Sequence, residues 1–237
     1  AVGNGVGSNI FNLLVVAGAS ACLYPLICDR VLLKRDWPLS AVAAILLGIF
    51  LLGDQTISRL EALVLLVIFA VVLFLQLKGA KQEENIHPEE RSMGRLVLFL
   101  LIGIAAIVIG GQVTVEGATS LARILGLSET LIGLTIVAVG TSLPELVTSV
   151  VAARKGENDI AMGNVIGSNL FNILCILGVS ALLHPIHVEV TALYDTAFLV
   201  VVTVVYWLIC RRRSPDRLIG TAMILTDIGY MAYIILR

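Results

Sequence analysis

Gly133-Leu134-Thr135-Ile136-Val137-Ala138-Val139-Gly140-Thr141-Ser142-Leu143-Pro144-Glu145 is followed, after a short charged turn, by Gly163-Asn164-Val165-Ile166-Gly167-Ser168-Asn169-Leu170-Phe171-Asn172. A carboxylate, a proline, hydroxyls and amides sit inside two segments that are otherwise apolar enough for lipid. Polar groups are costly there, so their presence points to function.

The surrounding chain has the same solvent preference. Apolar residues make up 58% of its 237 positions and charged residues 14%, against roughly 45–50% and about 25% in a soluble domain. Apolar runs recur at about residues 8–27, 37–53, 60–77, 95–115, 128–152, 160–183, 190–210 and 218–236, most of them near the roughly 20 residues that cross a bilayer. Lipid obliges each segment to satisfy its own backbone hydrogen bonds. The expected architecture is therefore an all-α polytopic membrane protein with eight visible transmembrane helices.

Alternating the loops across the membrane places Arg30, Lys34, Arg35, Lys78, Lys81, Arg91, Arg95, Arg154, Lys155, Arg211, Arg212, Arg213 and Arg217 on one side. Only Arg59, Arg123 and Arg237 remain on the other. The basic side is read as cytoplasmic, which turns both visible ends of the chain outward. A net charge of -1 carries no signal for nucleic acid. Cys22, Cys28, Cys175 and Cys210 fit no metal or redox spacing and are read as small membrane-embedded side chains.

Residues 1–12 repeat residues 161–172 at an offset of 160, with eight of twelve positions identical: Ala1, Gly3, Asn4, Gly7, Ser8, Asn9, Phe11 and Asn12. The echo continues at Leu14 and Leu174, Gly18 and Gly178, Ser20 and Ser180, and Pro25 and Pro185. The copies lie on the first and sixth spans. An odd number of crossings separates them, so they run in opposite directions, the signature of inverted repeats that enclose a midplane site in secondary transporters. The counterpart of Gly140–Glu145 falls upstream of Ala1, where two further spans are expected in the intact protein. Gly3-Asn4-Gly5-Val6-Gly7 is not read as a dinucleotide fingerprint, since Ser8 breaks the spacing and no strand precedes it.

These features divide the chain into residues 1–77, a polar linker at 78–94, and residues 95–237. The linker carries Glu83, Glu84, His87, Glu89 and Glu90 without aromatics. A solvated connection explains it better than a regulatory cation site.

Proline has no N–H, so Pro144 within a helix would deprive the Gly140 carbonyl of its donor. Ala138, Thr141, Ser142 and Glu145 are spaced by threes and fours, which groups carboxylate, hydroxyls and carbonyls on one face. Asn164, Ser168 and Asn172 recur every four residues as a second oxygen-bearing stripe, and Ser8 and Asn12 supply a third. Such oxygens suit hard cations, of which calcium takes about six to eight. No His or Cys joins them, which argues against zinc or copper. Helix packing by small residues accounts for Gly163, Gly167 and Ser168, but not for Glu145 beside a helix-breaking proline.

The paired motifs resemble the alpha repeats of the cation/calcium exchanger superfamily, GTSxPE on one helix and GNxxGSNxFN on the next. The resemblance extends over essentially the whole chain, as spans three to ten of a ten-helix inverted-repeat exchanger fold, and looks most like the bacterial sodium/calcium exchanger branch. It implies a secondary active antiporter of the bacterial inner membrane that exchanges sodium for calcium, with no cofactor and no enzymatic activity. Its partners would be the two ions and the lipid bilayer. The implied metal ligands are Ala138, Thr141, Ser142, Glu145, Ser168 and Asn172, with Ser8 and Asn12 from the other repeat. Some members carry Asp at the position of Asn172. Amides at both Asn12 and Asn172 remove one negative charge, which bears on stoichiometry and counter-ion.

The alternatives on the same scaffold are a cation/proton or potassium-dependent exchanger; those of another class are a channel or an inactive membrane fragment. With half of one repeat upstream, this chain alone is expected not to transport. Intramembrane proteolysis lacks a second acid or a Ser/His pair. Asp227, in the middle of the last span, is read as a hydrogen-bonding group, and Glu116, Asp54, Glu189 and Asp195 as interfacial residues at outward span ends.

Overall fold

The computed structural model describes residues 2–80, 93–126, 140 and 142–236. Seven helices among them are long and apolar enough to cross a membrane. They comprise α1 (Val2–Leu23), α2 (Leu32–Leu52), α3 (Arg59–Ala80), α4 (Met93–Ile124), α6 (Asn158–Leu183), α7 (Val190–Cys210) and α8 (Arg217–Leu236). The shorter α5 (Leu143–Arg154) is the described end of the span expected at 128–152, whose first half lies outside the described residues. So does the middle of the expected linker. One non-helical feature joins them: β1 (Thr56–Ile57) pairs antiparallel with β2 (Ile186–His187), tying the loop after α2 to the loop after α6. Thr56 Oγ1 and His187 Nδ1 are hydrogen-bonded 2.5 Å apart across this ribbon.

The chain forms two compact units, residues 1–66 with 145–237, and residues 67–144. In the first, α1 packs beside α6, α2 beside α7, and α8 along the second half of α1. Leu13, Leu14, Leu47, Leu51, Met162 and Ile166 are fully buried between them. Two tryptophans lock α2 to α7 in a reciprocal way. Trp37 Nε1 donates to the Thr203 carbonyl at 3.1 Å, and Trp207 Nε1 donates to the Leu33 carbonyl at 2.8 Å. Buried indoles find acceptors in this manner because their N–H cannot be left unpaired. In the second unit α4 is exposed along nearly its whole length and apolar over most of Val97–Ile124, with Gln112 and Glu116 one turn apart on one side.

Helix α8 meets α1 through glycine. A Cβ built on Gly220 would stand 2.5 Å from the Gly18 carbonyl oxygen and 2.9 Å from the Cys22 nitrogen. Lipid offers no hydrophobic drive for helices to associate, so small residues that let backbones approach supply the packing instead. The start of α8 is fixed by Asp216, whose Oδ1 accepts the N–H groups of Leu218 and Ile219 at 3.1 Å each, while its other oxygen pairs with Arg213. The Ile219 N–H, followed by the Arg213 guanidinium, holds the Asp216 carboxyl below the usual carboxylate range.

Two outcomes follow. Gly220→Val should destabilise the purified protein by about 3 kcal/mol through overpacking, read as a lowered Tm in detergent; Gly229→Ala, where a Cβ meets nothing within 4 Å, should not lower it. Because the folded-state pKa of Asp216 lies below its unfolded value, the cap's contribution is present above about pH 4. It is lost as the pH falls through the folded pKa, so Asp216→Ala should lower Tm at pH 7 and converge with the parent in acid.

Candidate functional site

The repeated stretch places Asn9 and Asn12 on α1 opposite Asn169 and Asn172 on α6. Asn9 Nδ2 donates to the Asn169 backbone carbonyl at 3.0 Å, and Asn169 Nδ2 donates to the Asn9 backbone carbonyl at 3.0 Å. Outside this pair, Asn172 Nδ2 donates to Asn9 Oδ1 at 2.9 Å and Asn12 Nδ2 to Asn169 Oδ1 at 3.2 Å. The four amides thus make a two-fold clasp, each bond having its counterpart in the other repeat. Inside a membrane no bulk water replaces a missing partner, and reciprocal pairing is how such amides are satisfied.

A local change of helix type accompanies the clasp. Residues Asn12–Val16 and Phe171–Leu177 are π-helical within otherwise α-helical spans, and the offset of 160 maps the first onto residues 172–176 of the second. Such turns are frequent at functional sites because they redirect side chains. With its nitrogen committed, Asn12 keeps a buried Oδ1 that has no hydrogen-bond partner. A buried unpaired carbonyl oxygen is costly, and a cation would offset that cost.

Helix α5 contributes the carboxylate. Ser142 lies in a turn and a new helix starts at Leu143, so Pro144 takes a first-turn position where its missing N–H costs nothing. Pro144 thus stands at the start of a helix and not inside one, where the sequence placed it. Glu145 falls in the first turn of α5, near the positive end of the helix dipole. Its neighbour on α6 is Asn164, whose Nδ2 donates to the Glu145 carbonyl at 3.2 Å and to Ser149 Oγ at 3.0 Å. Ser149 Oγ in turn donates to the Ala161 carbonyl at 3.1 Å. This chain anchors the turn that bears Glu145 to α6. Glu145 Oε2 is buried without a hydrogen-bond partner among the described residues.

Of the residues expected at the site, the first compact unit holds Glu145, Ser168, Asn172, Ser8 and Asn12. Ser168 and Asn172 are half-buried and follow Asn164 at one and two turns; Ser8 is buried one turn before Asn12. Ser142 is buried and belongs to the second unit. Ala138 and Thr141 lie outside the described residues. Asn164, read from spacing as an oxygen donor, spends its amide nitrogen on holding α5. Asn9, Asn169 and Ser149 escaped the sequence reading. The first two stand in the repeated Gly-Ser-Asn stretch, and their identity at an offset of 160 was the available signal.

Residues 1–78 and 95–236 match the family model described as sodium/calcium exchanger protein. The chain belongs to the sodium/calcium exchanger family. This exchanger is 36% identical to the inner membrane protein YrbG of Escherichia coli (strain K12) over 99% of its own length and 75% of that protein. It is 35% identical to the sodium/calcium exchanger MaX1 of Methanosarcina acetivorans over 82% of its length and 68% of that protein. A solved structure of the sodium-calcium exchanger NCX_Mj, soaked with 2.5 mM Na+ and 10 mM Sr2+, is similar with a TM-score of 0.84 at 31% identity, covering 98% of this chain and 75% of that one. The exchanger is accordingly a multi-pass integral membrane protein with the all-helical exchanger fold, in a family of transporters.

Truncating either inner amide breaks half of the clasp. Asn9→Ala removes the side-chain bonds to the Asn169 carbonyl and from the Asn172 amide, and should cost about 2–4 kcal/mol at about 1–2 per bond lost. Asn169→Ala should cost a similar amount, and the double variant less than the sum because the two share one network. Thermal unfolding of the four proteins in detergent checks this.

Proposed function

We propose that this chain is the larger part of a secondary active antiporter that exchanges sodium for calcium by alternating access, in the bacterial inner membrane. Residues 1–77 supply the remainder of one repeat and residues 95–237 the second, joined at 78–94. The observation that carries the reading is two buried oxygens without partners among the described residues, Glu145 Oε2 and Asn12 Oδ1, one on the helix that begins at Leu143 and the other at a π turn of α1.

Glu145 provides the charge and Ser168, Asn172, Ser8 and Asn12 provide neutral oxygens, with Ala138, Thr141 and Ser142 completing the ligand set. Calcium and sodium are both hard cations served by such oxygens, so competition for them couples the two fluxes. Loading neutralises the buried carboxylate, and only then is movement of the site across the membrane favourable. The amides at Asn12 and Asn172 orient their oxygens through the clasp without adding charge, so within this ligand set the charge that calcium needs comes from Glu145. No cofactor takes part.

The test is flux through vesicles holding the intact protein. Glu145→Gln should reduce sodium-gradient-driven calcium uptake by more than 100-fold, since an uncharged amide cannot balance a divalent ion. Uptake that survives this change would overturn the assignment, and uptake driven by a pH gradient at fixed sodium would identify proton exchange on the same scaffold.

A further inference from the structure

Sequence spacing places Glu116 at an outward span end, but α4 continues two turns beyond it to Ile124. In the apolar stretch Val97–Ile124, Glu116 stands about 8 Å from the centre at 1.5 Å per residue, within the hydrocarbon thickness. Gln112 precedes it by one turn on the same face. The pair opens on a cavity of about 530 Å³. Its other walls include Val115, Gly111, Gly140 and Pro144, the last two flanking the break before α5.

Close packing keeps α4 at that break. A Cβ on Gly111 would lie 3.7 Å from Pro144 Cγ, and one on Gly140 would collide with Val115. Glycine at both positions lets the polar face of α4 approach the residues that immediately precede Glu145. An ionisable group at this depth belongs to a water-filled cavity or an ion path, and its cavity is open and wide enough for a hydrated ion.

We propose that Gln112 and Glu116 form a staging site for hydrated cations, distinct from the ligands of the exchange site and serving to concentrate cations at the helix break. The inference rests on the exchange reading. Glu116 supplies a carboxylate that a hydrated mono- or divalent cation meets through its water shell, and Gln112 accepts from that water through its amide oxygen. Neither residue replaces the inner ligands, so the site raises the rate of arrival and leaves the exchange step unchanged. A cleft of one charge sign raises local counter-ion concentration and association rates by about tenfold or more, an effect that salt removes.

The experiment uses vesicles of the intact protein in which Cys22, Cys28, Cys175 and Cys210 are replaced by serine and Gln112 by cysteine. With Glu116 present, a trimethylammonium methanethiosulfonate should modify position 112 about tenfold faster than a sulfonate methanethiosulfonate. Millimolar calcium should slow the cationic reagent. Q112C with E116Q should lose the preference, and Q112C with E116D should keep it. In parallel, E116Q on the parent protein should raise the calcium KM several-fold at low ionic strength with kcat unchanged, the two KM values converging in high salt. Equal reaction with both reagents, whatever stands at 116, would overturn the staging site, as would a KM shift that salt does not remove. Loss of uptake in E116Q with normal labelling would overturn it too, by making Glu116 part of exchange itself. Labelling needs no transport, so survival of uptake in Glu145→Gln would sink the exchange reading and leave the cavity result standing.

Discussion

Two amide side chains, Asn9 and Asn169, hydrogen-bond each other's backbone across helices that are 160 residues apart in sequence. The outer amides Asn12 and Asn172 are arranged around that exchange. Each inner amide satisfies the other's carbonyl and uses its own oxygen to hold the outer amide of the opposite repeat. The outer amides are thereby turned so that nitrogen faces the clasp. Their orientation is a consequence of low dielectric, in which an unpaired N–H would cost more than an unpaired carbonyl that an ion can reach.

The rest of the unit keeps those helices at the separation that the clasp requires. Reciprocal Trp37 and Trp207 bonds fasten α2 to α7, the glycine contact brings α8 against α1, and the short ribbon joins the loops after α2 and α6. Each device is a packing or hydrogen-bonding solution, because apolar burial gains little when the surroundings are lipid. The long and largely exposed α4 follows a different logic: its polar pair Gln112 and Glu116 borders a cavity, and the rest of its exposed surface is mostly apolar.

Charge is concentrated in few places. In the first unit half-buried Glu145 stands at a helix start, with its backbone held by Asn164 and its buried Oε2 without a partner among the described residues. Ser168 and Asn172, half-buried one and two turns beyond Asn164 on α6, add neutral oxygens to the same unit. Pro144 suits this arrangement because the first turn of a helix needs no N–H from it.

The amino-acid sequence alone determined the membrane class, seven spans that the structure describes, the internal repeat and the oxygen-bearing residue types. Hydropathy and a constant offset are local properties that survive without coordinates. Only the tertiary structure decided which nitrogen of the four asparagines pairs with which oxygen, that Asn164 and Ser149 anchor the Glu145 turn, and that Glu116 lies inside a span beside a cavity. Those outcomes depend on helices distant in sequence meeting at a particular rotation and depth. Spacing along one helix selects a face but leaves its partner open, so the same stripe could bind an ion or hold a neighbour. Asn164 and Asn12 both spend their amide nitrogens on neighbouring helices, partners that spacing alone did not name.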